Sequence, residues 1–106
     1  MGNATIKIGM VTEAMANKPL KEIMDWVVKA APELTGLEIG TGAYAPTGHC
    51  DMPGLLKDAG ARRAYKKEIE SRGLEIGAFN CWGNPMHPDE GIARAHEESL
   101  RDTIRL

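Results

Sequence analysis

The pentapeptide Gly-Leu-Glu-Ile-Gly occurs twice in this chain, at Gly36–Gly40 and at Gly73–Gly77. Each copy follows a stretch with helical spacing and reads as a short strand entered by glycine. A strand, a helix and the same strand again is the period of a βα repeat, whose crossover takes roughly 30 or more residues. The chain is therefore expected to be α/β with a parallel sheet.

The flanking segments fit that period. Ile6–Val11 is the first strand candidate, short and β-branched, with polar Thr12 and Glu13 after it. Pro19 opens a helix, where its missing N–H costs nothing. Leu20, Ile23, Met24, Val27 and Val28 then make one apolar stripe. Pro32 and Gly36 are read as the stop of this helix. The second strand is Leu37–Gly40, and Thr41 to Leu56 reads as a long loop, of the kind that is functional or mobile. Asp58 caps a second helix running to about Arg72, with Ala61, Ala64, Tyr65 and Ile69 inward and Gly73 in the C′ role. Leu74–Asn80 is the third strand and Asn80–Glu90 a second rich loop. A third helix covers Ile92–Leu106, with Ile92, Ala95, His96, Ser99, Leu100, Thr103 and Ile104 on one side.

At 106 residues there is room for one domain, 1–106, and one core. The formal charge of −2 and scattered basic residues argue against nucleic acid or an anionic membrane surface as partner. No apolar run approaches the ~20 residues of a membrane span, and Met1–Thr5 does not open a signal peptide. Cys50 and Cys81 suit a reducing compartment, so a cytoplasmic location is expected.

Ligand sites of parallel α/β proteins lie at the carboxyl ends of the strands. Polar side chains collect there: Glu13, His49, Asp51, Asn80, Trp82, Asn84, His87 and Asp89. That distribution suits a sugar or small metabolite, with Trp82 as an apolar face and Asn and His as hydrogen-bonding groups. His49-Cys50-Asp51 has metal-capable atoms, but three adjacent residues do not easily converge on one ion. Glu38 reads either as a pocket residue or as a structural ion pair, and Glu75 holds its place in the second pentapeptide. Asn84-Pro85 is a turn former in its own right, His87 is read equally as a turn-ordering residue, and His96 reads as a packed or rim histidine.

The run Phe79-Asn-Cys-Trp-Gly-Asn-Pro-Met-His-Pro-Asp89 resembles the loop after the third strand of the sugar phosphate isomerase/epimerase family, the xylose-isomerase-like TIM barrels. Gly83–Pro88 matches that family's Gly-Asn-Pro-Leu-His-Pro, with Met86 for Leu. Ile8-Gly9 is similar to its first strand, Pro19–Ile23 with Trp26 to its first helix, and Gly36–Ile39 to its second strand. The resemblance covers nearly the whole chain but three of eight βα units, a partial (truncated) TIM barrel. It implies metal-assisted proton transfer on a sugar or sugar phosphate. It places Glu38, Asn80, Trp82, Asn84 and His87 in the substrate-binding wall. It puts the acid/base pair and the ligands of a divalent metal (Mn, Mg or Zn) on later strands, so this chain binds no metal and is inactive by itself. The rival reading is a non-catalytic oligomeric α/β module that assembles or binds a small polar ligand.

Three strands do not close a barrel. They leave two free sheet edges and an inner face expected to be apolar, so self-association as a homo-oligomer is expected. Strand orders 1-2-3 and 2-1-3 both remain open at this point.

Overall fold

A computed structural model describes residues 6–106; Met1–Thr5, and with them the reading on a signal peptide, lie outside the described residues. The strands are β1 (Ile8–Val11), β2 (Leu34–Ala43) and β3 (Glu75–Trp82), parallel and in the order β1-β2-β3. The helices are α1 (Leu20–Ala30), α2 (Met52–Lys57), α3 (Ala59–Glu70) and α4 (Glu90–Arg105), with a 3-10 turn at Thr12–Met15. None of these helices is long and apolar enough to cross a membrane.

The helices share one face of the sheet. Leu37 and Ile39 of β2 project there, two residues apart as strand alternation requires. They pack with Ile23, Met24 and Val27 of α1, Met52 and Leu55 of α2 and Ile69 of α3. Burying a side chain of this kind stabilises by about 1.5–3 kcal/mol. The inward face of α1 is narrower than its sequence stripe, since Val28 is left about half exposed.

Several boundaries differ from expectation. Gly36 does not stop α1; it lies inside β2, which starts at Leu34. The helix ends at Ala30, two residues before Pro32, which cannot continue the ladder of amide donors. β2 also runs past Gly40 to Ala43. The long loop contains α2, whose start is fixed by Asp51 accepting from the Gly54 amide, with Pro53 in the first turn. Asp58 caps α3 by accepting from the Gly60 amide at 2.7 Å, and Gly73 takes the left-handed conformation, φ +74°, that ends it.

α4 departs most from its sequence pattern. Its inward residues are His96, Ser99 and Thr103, while Leu100 and Ile104 are 43% and 76% exposed. The reason is close approach. The Thr103 hydroxyl meets that of Thr41 at 2.8 Å, and Ser99 lies where a side chain on Gly42 would be. Small hydroxyl residues let the helix lie flat over the end of β2; leucine and isoleucine there would hold it off.

The other sheet face carries no helix among the described residues, and it is not the apolar surface expected. Its register positions are Val11, Glu38 and Ala78 at one level and Gly40 and Asn80 at the next. Glycine, carboxylate and amide groups dominate it.

Candidate functional site

Two irregularities in strand pairing build the site. Leu37 pairs with Ile76, but Glu38 pairs with Ala78, so Gly77 is an extra residue in β3. A bulge resets side-chain alternation. Ile76 and Phe79 are three apart, yet both pack against the core. Asn80 is thereby turned to the open face beside Glu38. The second irregularity falls between Gly40 and Gly42, where Thr41 is the extra residue and donates to the Asn80 carbonyl.

The Asn80 amide nitrogen stands 3.4 Å from Glu38 Oε2 and 3.5 Å from Glu13 Oε1. These are long bonds, but one NH2 group has two protons and can face two carboxylates. Glu13 comes from the 3-10 turn after β1, Glu38 from β2 and Asn80 from β3. One polar group from each strand end meets at one place. Gly40 makes room: a β-carbon there would overlap the Pro46 carbonyl and stand 2.9 Å from Glu13 Oε1. Backbone in the sparsely used left-handed region follows at once, at Gly42 (φ +151°) and Ala43 (φ +56°).

The remaining expected site residues lie beyond that cluster. Trp82 ends β3, 54% exposed, and its carbonyl accepts from the Tyr44 amide. Asn84 Oδ1 accepts from the Met86 amide, and His87 Nδ1 accepts from the Asp89 amide at 3.0 Å. Both side chains order the turn. Each also keeps donors free of partners among the described residues: the Asn84 NH2 group and, in the neutral ring, His87 Nε2–H. Asp89 caps α4 through the Gly91 and Ile92 amides.

His49, Cys50 and Asp51 diverge. The His49 ring is buried, with Nε2 2.7 Å from the Lys18 carbonyl and Nδ1 2.9 Å from the Thr12 hydroxyl. A carbonyl only accepts, so Nε2 carries the proton. Cys50 enters the core beside Met52, where burial pushes its thiol pKa up; Tyr65 pulls it down and Asp51 adds to the rise. Burial likewise holds the Tyr65 hydroxyl far above its usual range, with Cys50 and Glu68 adding to it. That hydroxyl donates to the His49 carbonyl at 2.7 Å. This network braces the wall behind the site.

Sequence reasoning missed Glu13 as the second carboxylate facing Asn80, although it noted Glu13 at a strand end. No group of three or more His, Cys, Asp or Glu among the described residues is placed to hold a metal ion.

No protein-family model matches the chain, and no solved structure matches it. It is similar to the uncharacterized protein YfiH of Bacillus subtilis (strain 168), with 27% identity over 101 residues. That match covers 95% of this chain and 31% of YfiH, so the chain spans about a third of the length of the curated relative it matches.

Proposed function

We propose that this chain forms the first three strand ends of a sugar-binding wall in a barrel of the sugar phosphate isomerase/epimerase kind, working in the cytoplasm. The observation that carries the reading is the convergence of Glu13, Glu38 and Asn80 on the open face at the carboxyl ends of three parallel strands. In (βα) barrels that end holds the ligand. Sequential parallel strands with every helix on one side are the geometry of a barrel segment.

The chemistry offered is recognition. Glu13 and Glu38 are acceptors for sugar hydroxyls, while Asn84 and His87 present donors, and Trp82 can lie against an apolar ring face. Proton transfer between carbons needs a tuned acid/base pair and, in this family, a divalent metal; these are proposed to come from beyond the chain described.

Saturation-transfer NMR with a panel of aldoses, ketoses and their phosphates tests the reading. Transfer to a sugar that is lost in Asn80→Leu is expected. Equal transfer in the variant would sink it.

A second reading is assembly. The sheet edges that carry no neighbouring strand among the described residues, together with the exposed Leu100 and Ile104, suit self-association as a homo-oligomer. Light-scattering mass, with melting at two concentrations, tests it. A discrete oligomer whose Tm rises with concentration supports assembly, and a monomer at micromolar concentration removes it.

A further inference from the structure

The loop 83–89 is fastened to the rest of the molecule by a histidine that must be neutral to do it. His96 lies on the sheet-facing side of α4, 8% exposed. Its Nδ1 accepts from the Asn84 amide at 2.8 Å. Its ring meets Tyr44 edge-on, with centroids 4.4 Å apart. Gly83 lets the loop come this close: a β-carbon there would stand 2.7 Å from that of Ala43 and 2.9 Å from His96 Cγ. The fastening joins the three pieces around the site mouth: α4, the end of β2 and the loop that carries Asn84 and His87.

We propose that His96 is a pH-sensitive latch that docks the 83–89 loop when neutral and releases it when protonated. A neutral imidazole has one acceptor nitrogen, and the Asn84 amide occupies it. The imidazolium has none. Protonation therefore turns a hydrogen bond into two N–H groups pointed at each other, at a buried position where an unmet donor costs about 1–3 kcal/mol. Histidine is the side chain whose charge ordinarily changes between about pH 5 and 8.

The groups packed on the ring include Tyr44 from the segment after β2 and the backbones of Gly83 and Asn84. Among the described residues no carboxylate or cation is hydrogen-bonded or ion-paired to it. His87, in the same loop, is a second imidazole whose Nδ1 accepts a backbone amide, that of Asp89. Its bond is internal to the loop, so its protonation would loosen the turn and leave the docking to α4 intact.

The consequence for ligand binding rests on the reading of the site given above. The latch is tested on the protein alone, with no sugar added, so its failure and the failure of that reading are separable.

Two measurements test it. In Trp26→Phe protein the remaining tryptophan is Trp82, next to Gly83. Its emission is expected to shift to the red from about pH 8 to about pH 5, to lose that transition in the added variant His96→Gln, and to keep it in the added variant His87→Gln. Glutamine offers a carbonyl acceptor that does not titrate. In unmodified protein, two-dimensional NMR should show the Asn84 amide moving with the same midpoint as the His96 ring. Its hydrogen-exchange protection should fall about tenfold across the transition, the order expected for one lost hydrogen bond. An Asn84 amide that stays fixed while His96 titrates overturns the latch even if the glutamine variant fails to fold. So does a Trp82 transition that survives His96→Gln.

Discussion

Glu38 and Glu75 are the central residues of two identical pentapeptides, yet they stand at different levels of the sheet. Glu38 pairs with Ala78 and bonds Asn80, whereas Glu75 pairs with Gly36 and bonds Lys7 at 3.0 Å. The copies are offset along the sheet, so the repeat in sequence is no repeat in space. Gly73 serves as a helix end and Gly36 as a strand residue for the same reason. Glu75 forms an exposed pair at the amino ends of the strands, of the kind worth about 0–1 kcal/mol. Glu38 sits among the carboxyl ends, where a ligand would be met.

Gly40→Ala should destabilise by about 2 kcal/mol or more, because the added methyl meets the Pro46 carbonyl, which is backbone and cannot rotate away. Gly48→Ala should change stability by less than about 0.5 kcal/mol, since nothing lies within 4 Å of its added carbon. Paired urea denaturations give the comparison. Equal effects would mean that the β2 end does not press on the 44–51 segment.

Asn80→Asp places a third carboxyl between Glu13 and Glu38. Like charges at hydrogen-bond range raise carboxyl pKa values in the folded state above those of the unfolded chain. The folded variant then binds more protons, so its stability rises as pH falls. The variant should lose about 1–2 kcal/mol at neutral pH and recover most of it by about pH 4, near the unfolded carboxyl pKa values. Denaturation midpoints at the two pH values check the sign. A loss that grows on acidification would contradict the cluster geometry.

Tyr65 and Cys50 should make the protein sensitive to alkali. Burial raises both pKa values in the folded chain. Their stabilising effect is complete below the unfolded pKa values, about 8.5 for Cys and 10 for Tyr, and declines as pH rises through them. Tyr65→Phe should cost about 1 kcal/mol at pH 7, through the lost bond to the His49 carbonyl, and should flatten the decline above about pH 10. Urea midpoints across that range would show it.

Ile69→Ala should cost about 2–5 kcal/mol, since its side chain is fully enclosed by the core. Ile104→Ala, on the exposed rim of α4, should cost less than about 0.5 kcal/mol in a monomer. A large Ile104 effect that grows with protein concentration would instead point to assembly through α4.

Strand, helix and turn chemistry was legible where one residue decides the backbone. Pro19, Asp58 and Gly73 each mark a boundary of the element read from them. α2 was not, because Gly54 within it is a poor helix residue and the Asp51 cap with Pro53 was a short signal inside a glycine-rich stretch. The site was half legible. Glu38 and Asn80 were named, but their meeting depends on the extra residue at Gly77, and a bulge leaves no trace in a strand's alternation until the partner strand is known. The inward face of α4 was misjudged because hydropathy ranks Leu100 and Ile104 above Ser99 and Thr103, whereas close approach of helix to strand favours the small hydroxyls.

The most direct test is a two-dimensional NMR titration that follows the side-chain amide of Asn80 while a sugar phosphate is added to millimolar concentration, with the carboxyl carbons of Glu13 and Glu38 followed alongside. The account expects saturable shifts at these three groups and at the loop 83–89. Saturable shifts confined to the helix-covered side, or none at Asn80 with any sugar or sugar phosphate, would contradict it.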